Sequence, residues 1–367
     1  MEKPVWKIVR PDALAVLQDE KCRRSLSRYF SILEGRKHAK FRLAKRLKAS
    51  FNGNSSLQDL WRLHEKLTEE FYRLEAKVDK GEVRLEGLPL PEKSYLHLKV
   101  ELAKRILREC HFCERKCRVN RVKGEKGFCR CGVETEVSSY FAHLGEEPEL
   151  VPSGTIFTMG CSIRCLHCQN WTISQWYEKG ETCTPEDLAA IVESLWREGC
   201  RNANLVGGDP TPWLAQWLET FTHLDVDIPV VWNSNAYYSE EAAKLLAGFV
   251  DVYLLDFKYG SNRCAERLSS APGYVETAQR NHLYALKYGE LIIRVLVLPG
   301  HLECCAKPIL KWIAENLGTW VRVNIMDQYR PEWRAWEVPE LRRRLKRSEF
   351  EEVLNFAREL GLTNLCF

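Results

Sequence analysis

Thr155-Ile156-Phe157-Thr158-Met159-Gly160-Cys161-Ser162-Ile163-Arg164-Cys165-Leu166-His167-Cys168 decides how the rest of the chain is read. Its apolar start, Thr155 to Met159, predicts a strand. A C-x3-C-x2-C loop follows at once. Three thiols so close in sequence can converge on one metal centre. A tetrahedral zinc ion wants a fourth ligand, which His167 could supply. A four-iron cluster on three thiolates instead leaves one iron open to a substrate or cofactor.

Downstream of this loop the chain keeps a regular rhythm. Thr184-Pro185-Glu186-Asp187 predicts a helix start, with Thr as N-cap, Pro in the first turn and an acid three residues on. Ala203–Val206, Pro229–Trp232, Val252–Phe257, Leu291–Leu298 and Val321–Met326 read as further strands, and Ser239 caps another helix. Strands alternating with helices imply an α/β fold with a parallel sheet. About six units are countable where eight would close a ring, so the expected fold is a partial (β/α)6 barrel. Ligands in such folds sit at the C-terminal strand ends, and chemistry is sought there.

The cysteine loop resembles the signature of radical S-adenosylmethionine (SAM) enzymes. Gln169-Asn170 after the third cysteine resembles the branch that activates glycyl-radical enzymes. Gly154-Thr155-Ile156-Phe157, Asp256-Phe257-Lys258-Tyr259, Leu298-Pro299-Gly300 and Met326-Asp327-Gln328-Tyr329-Arg330-Pro331 are similar to the pyruvate formate-lyase activating-enzyme homologue family. The resemblance covers roughly residues 110 to 330. It implies a 4Fe-4S cluster on Cys161, Cys165 and Cys168, with SAM bound at the open iron. It also implies reductive cleavage of SAM to a 5′-deoxyadenosyl radical that abstracts hydrogen from a substrate. A glycine of a partner protein is the candidate substrate, and a ferredoxin or flavodoxin type of protein the electron donor.

The remaining strand ends are read in the same light. Gly207-Gly208-Asp209-Pro210 allows close backbone approach and offers a carboxylate. It resembles the superfamily's Gly-Gly-Glu-Pro motif, which holds the SAM amino group, with Asp one methylene shorter. Asn233-Ser234-Asn235-Ala236 resembles an Asp-Thr-Asn-Gly stretch near SAM, and Asn in place of Asp removes a charge that a monovalent cation would need. Asp256 and Lys258 are either a structural pair or, as the resemblance implies, include a lysine that contacts SAM. Arg294, inside a buried strand, needs a partner. Asp256 is one candidate, and the resemblance implies SAM. Asp327 and Gln328 are expected at the substrate or SAM end.

Upstream, Cys110, Cys113, Cys117, Cys129 and Cys131 form a second group with turn glycines between them. Cys110, Cys113, Cys117 and Cys129 make a four-ligand set for zinc or a second iron–sulfur cluster, with Cys131 spare. The other cysteines, Cys22, Cys183, Cys200, Cys264, Cys304, Cys305 and Cys366, read as ordinary buried thiols. Cys304-Cys305 at a helix start is a faint hint of reactivity. Trp171 and Trp176 are read either as core or as a wall to the site.

The chain divides into a helical basic region (1–107), a cysteine-rich metal-binding segment (108–150) and the partial barrel (151–367). Lys21 to Lys48 carries 11 basic residues and one acid, Glu34. It reads as a solvated helical face, or as a surface for RNA or an acidic partner. An RNA-modifying radical SAM enzyme and a non-catalytic iron–sulfur protein are therefore the alternatives. Over 367 residues the net charge is only +4, so the whole chain is no polyanion binder. Fifteen cysteines are an odd number and too sparse for a disulfide scaffold. Met1–Arg10 has no apolar core of a secretory signal, and no run is long enough to span a membrane, so a reducing cytoplasm is expected.

Overall fold

A computed structural model describes residues 6–176 and 178–366. Residues 1–5 of the polar N-terminal stretch lie outside these described residues. Nine strands make one sheet: β1 (Thr135–His143), β2 (Ser153–Thr158), β3 (Glu181–Cys183), β4 (Ala203–Leu205), β5 (Val230–Ser234), β6 (Val252–Asp256), β7 (Glu290–Leu296), β8 (Arg322–Met326) and β9 (Leu365–Cys366). Their spatial order is β3-β1-β2-β4-β5-β6-β7-β8-β9. From β2 through β4 to β9 every pairing is parallel and follows chain order. Such strands need a crossover each time, and crossovers of one hand wind the sheet in one direction. This is the expected partial barrel.

All six expected strands are present, shifted by a residue or two at their ends. β5 is buried at every position, as a parallel strand covered on both faces must be. The helix Pro185–Arg197 starts as read: the Thr184 hydroxyl accepts from the Asp187 N–H and the Asp187 carboxylate accepts from the Thr184 N–H. Ser239 likewise caps Glu240–Leu246 by accepting from the Ala242 N–H. Three strands were not foreseen. β9 extends the parallel run, and β1 lies antiparallel between β2 and β3. β1 places part of the 108–150 segment in the barrel sheet itself.

The N-terminal region docks beneath the barrel, where the parallel strands begin. Arg28 forms ion pairs with Asp251, just before β6, and with Glu75 and Asp79 of the helix Leu57–Asp79. Lys40 is buried, pairs with Glu75 and donates to the Tyr288 carbonyl. Lys45 pairs with Asp225 and donates to the Leu224 carbonyl. The centre of the basic run is thus an internal interface. This corrects its reading as a solvated face at that centre, while Lys21, Arg24, Arg36 and Lys48 stay exposed.

A second feature closes the bottom of the barrel. The turn between β1 and β2 sends Glu146, Glu147 and Glu149 inward, and all three are buried. Arg294 of β7 donates through Nε and Nη2 to both oxygens of Glu147 at 2.7 Å, and also pairs with Glu146. Arg322 of β8 forms the same kind of fork with Glu149, at 2.9 and 3.1 Å. Asn324 donates to Glu147 at 2.8 Å. Two-pronged pairing of this kind offsets the cost of burying charge. Among the described residues no helix is long and apolar enough to cross a membrane.

Candidate active site

The cysteine loop leaves β2 at the C-terminal end of the sheet, as expected. Cys161 and Cys165 are buried and Cys168 is half-buried. Each sulfur meets one polar group from a different segment. Asn235 Nδ2 lies 3.5 Å from Cys161, the Ser269 hydroxyl donates to Cys165 at 2.9 Å, and the Ser174 hydroxyl lies 3.2 Å from Cys168. Arg164 holds the loop's shape by donating to the carbonyls of Cys161, Ile163, Ser174 and Phe128. The Leu166 carbonyl accepts from the Arg334 N–H at 2.9 Å, which ties the loop to the segment after β8.

Burial pushes the Cys165 thiol up to about 11 despite the nearby Lys258 ammonium, and raises Cys161 as well. Buried neutral thiols need a compensating positive centre to become ligands. The donor set is all sulfur and is served by hydroxyl and amide groups. That fits a multi-iron cluster. His167 does not join the set: it turns to Tyr259 and Tyr329, and burial lowers it to about 3. The zinc reading with His167 as fourth ligand is thereby corrected.

The next strand end packs directly on this loop. Gly207 has φ +118°, and a Cβ there would sit 2.3 Å from Thr158 Oγ1. A Cβ on Gly208 would sit 2.2 Å from the Gly160 carbonyl oxygen. Only glycines permit this approach. Pro210 follows, and the Trp213 N–H returns to its carbonyl at 3.0 Å. Asp209 is buried and bridges two segments, accepting from Ser162 at 2.9 Å and from Ser234 at 2.8 Å. Burial outweighs these donors and pushes its carboxyl up to about 6.

The other strand ends separate. Asp256 and Lys258 pair at 2.7 Å. Burial opposes the Lys258 charge, but Asp256 and Cys165 hold its pKa above the usual lysine range. Arg294 does not pair with Asp256; it turns to Glu146 and Glu147, and its remaining arm donates to Asn233 at 3.2 Å. Gln328 and Asp327 are exposed beyond β8, and the Gln328 carbonyl lies 3.5 Å from the Gln169 amide nitrogen. Trp171 stacks on Trp333 with ring centres 4.5 Å apart, and Trp176 meets Trp333 edge-on at 6.0 Å. Trp333 is a partner the sequence did not suggest.

The second cysteine group lies against the first. Cys113 is within electrostatic reach of Cys110, Cys117 and Cys129, so the expected four come together. Cys131 stays beside the group: its side chain hydrogen-bonds the Cys129 side chain, and it also donates to the carbonyls of Cys129 and Met159. Arg115 donates to the Ser162 carbonyl and stacks over Phe128, whose carbonyl accepts from Arg164. Cys264, Cys304 and Cys305, read from sequence as separate buried thiols, meet at His301.

The family model described as the radical SAM superfamily matches residues 155–313. The chain belongs to the radical SAM superfamily. It is 45% identical over 343 residues to the uncharacterized protein MJ0674 of Methanocaldococcus jannaschii, covering 92% of this chain and 98% of that one. The uncharacterized protein MJ0808 of the same organism is 29% identical over 253 residues, covering 63% of this chain and 73% of that one. The crystal structure of Streptococcus suis SuiB bound to S-adenosylmethionine is similar with a TM-score of 0.40 and 15% identity, over 57% of this chain and 48% of that one. SuiB bound to the precursor peptide SuiA gives 0.40 and 14%, over 56% and 46%. The radical SAM chain described here thus spans about half the length of those SuiB chains. Membership in the superfamily makes a 4Fe-4S cluster and SAM its cofactors and makes it an enzyme.

Proposed function

We propose that this radical SAM enzyme belongs to the activating-enzyme type and takes a hydrogen atom from a glycine of a partner protein. When bound, the cluster and SAM supply the reducing electron and the 5′-deoxyadenosyl radical. Cys161, Cys165 and Cys168 would hold the cluster. Ser269, Asn235 and Ser174 would stabilise negative charge on those sulfurs. Gly207 and Gly208 bring their backbone beside the loop where SAM would lie. Asp209 fixes Ser162 of the loop against Ser234, and Lys258 carries a positive charge suited to a carboxylate. Arg294, committed to Glu146 and Glu147, positions Asn233. The observation that carries the reading is the three-thiol loop with a separate donor on each sulfur.

Cys110, Cys113, Cys117 and Cys129 are proposed to hold a second iron–sulfur cluster. They are an all-sulfur set tied to the first loop by Arg115, which donates to the Ser162 carbonyl. A cluster there would sit beside the first, where an electron from a ferredoxin or flavodoxin type of donor could enter.

The test is anaerobic reconstitution with iron and sulfide, then dithionite and SAM. 5′-Deoxyadenosine is expected from the intact chain, and none from Cys161→Ala, Cys165→Ala or Cys168→Ala. An intact, iron-loaded protein that makes none would overturn the proposal. Deuterium transfer into 5′-deoxyadenosine from an α-deuterated glycine of a captured protein would identify the substrate class.

A further inference from the structure

The group at His301 lies outside the machinery described above. Cys264 sits in the first turn of the helix Asn262–Ser269, which follows β6. His301, Cys304 and Cys305 lie in and just before the turn Leu302–Ala306, which follows β7. That turn is wound as a π-helix, and the Ala306 N–H returns to the His301 carbonyl. The wider winding lets two successive cysteines serve one point, and such turns recur at functional sites.

The four donor atoms all lie within 4.8 Å of one another. Cys264 Sγ is 3.7 Å from Cys304 Sγ, His301 Nδ1 is 3.6 Å from Cys264 Sγ, and the same nitrogen is 3.3 Å from Cys304 Sγ. Bonds of ~2.3 Å to sulfur and ~2.0 Å to nitrogen put tetrahedral ligands about 3.8 Å apart for two sulfurs and about 3.5 Å for sulfur and nitrogen. The three measured edges match that tetrahedron. They are too long for a disulfide, whose sulfurs are ~2.05 Å apart.

The surroundings suit a metal as well. On the far side of the imidazole, His301 Nε2 faces the Glu340 carboxylate at 3.5 Å. A carboxylate behind a ligating histidine fixes the ring so that its other nitrogen meets the metal. Arg267 pairs with Glu340 and also touches His301 Nε2. Arg267 and Glu340 offset each other, so three thiolates on a divalent ion leave the group one net negative charge.

We propose that Cys264, His301, Cys304 and Cys305 bind one zinc ion in a closed structural site. Four protein ligands leave no open position, which separates this site from catalysis. Its effect is mechanical. Ser269, at the other end of the Cys264 helix, donates to Cys165, and the backbone carbonyls of Leu268 and Ser269 accept from Leu166 and Arg164. The ion pins that helix to the turn after β7 and so steadies the floor of the cysteine loop.

The test measures zinc and iron together in the anaerobically purified holoenzyme. One zinc per chain is expected beside the cluster iron, with zinc-edge X-ray absorption giving three sulfurs and one nitrogen. Cys304→Ser and His301→Gln are each expected to lose at least tenfold in zinc affinity while cluster iron is retained. Zinc that stays fully bound in both variants would place it elsewhere and overturn the proposal. So would a zinc-free protein, or a Cys264–Cys304 disulfide found by mass spectrometry without oxygen exposure. The absorption spectrum of the unaltered protein decides the matter even if a variant fails to fold.

Discussion

The Ser269 hydroxyl donates to the Cys165 sulfur at 2.9 Å, and the Tyr259 hydroxyl, 2.5 Å from Ser269, completes a two-step relay into the cysteine loop. A hydrogen bond to a cluster thiolate favours the reduced, more negative state. Ser269→Ala should therefore shift the cluster potential negative by roughly 40 mV, the equivalent of about 1 kcal/mol. Redox titration followed by electron paramagnetic resonance checks this, at unchanged iron content. An unshifted potential would show that the bond does not tune the cluster.

Gly208 leaves no room for a side chain against Gly160. Gly208→Ala should cost about 1–3 kcal/mol of stability, the usual range for an inserted methyl group. It should also lower iron retention, because the displaced backbone belongs to the cysteine loop. Urea midpoints and iron content after desalting are the measurements.

Arg294 neutralises two buried carboxylates at once. Arg294→Ala should destabilise by about 3–5 kcal/mol, the range for stripping the partner from a buried charge. Combining it with Glu147→Gln should recover part of that loss. A double variant no more stable than Arg294→Ala would contradict the pairing as the source of the cost.

Glu290 gives the pH prediction. Its carboxylate accepts from the Arg28 and Tyr29 N–H groups at 2.6 and 2.7 Å, at the start of the helix Ser27–Leu33. Burial outweighs those donors and pushes it up to about 7 from 4.5. The folded state then binds the extra proton, so this group's contribution is full below the unfolded pKa and declines as pH rises through the folded one. Relative to Glu290→Gln, the protein should lose stability as pH rises from about 4.5 to 7. Paired urea titrations across that window test it, and a constant gap would refute it.

Much of this was legible in the sequence because it is local. An apolar run followed by C-x3-C-x2-C marks a strand end, and Thr184 or Ser239 before a helix marks a cap. β1 escaped because its register shifts between Val137 and Ser139, which breaks the alternation of apolar and polar residues, and Tyr140 and Phe141 face outward. β3 and β9 are too short to carry a pattern. The partners of Arg294 and Arg28 escaped for a different reason. Glu147 is 147 residues from Arg294 and Asp251 is 223 from Arg28, and no periodicity links such positions. A gap of 37 residues likewise hid the meeting of Cys264 with His301.

The Arg334 N–H that closes on the Leu166 carbonyl, and the Glu340 that backs His301, have a bearing on biogenesis. Synthesis runs from the N-terminus, so the loop cysteines leave the ribosome well before these late residues exist. The strand-end neighbours Asn235 and Ser269 also arrive after Cys161 and Cys165. A nascent chain therefore displays bare thiols with no finished cradle, vulnerable to oxygen and to the wrong metal. The cradle of the cysteine loop is therefore complete only once residue 334 has been made and has docked on Leu166.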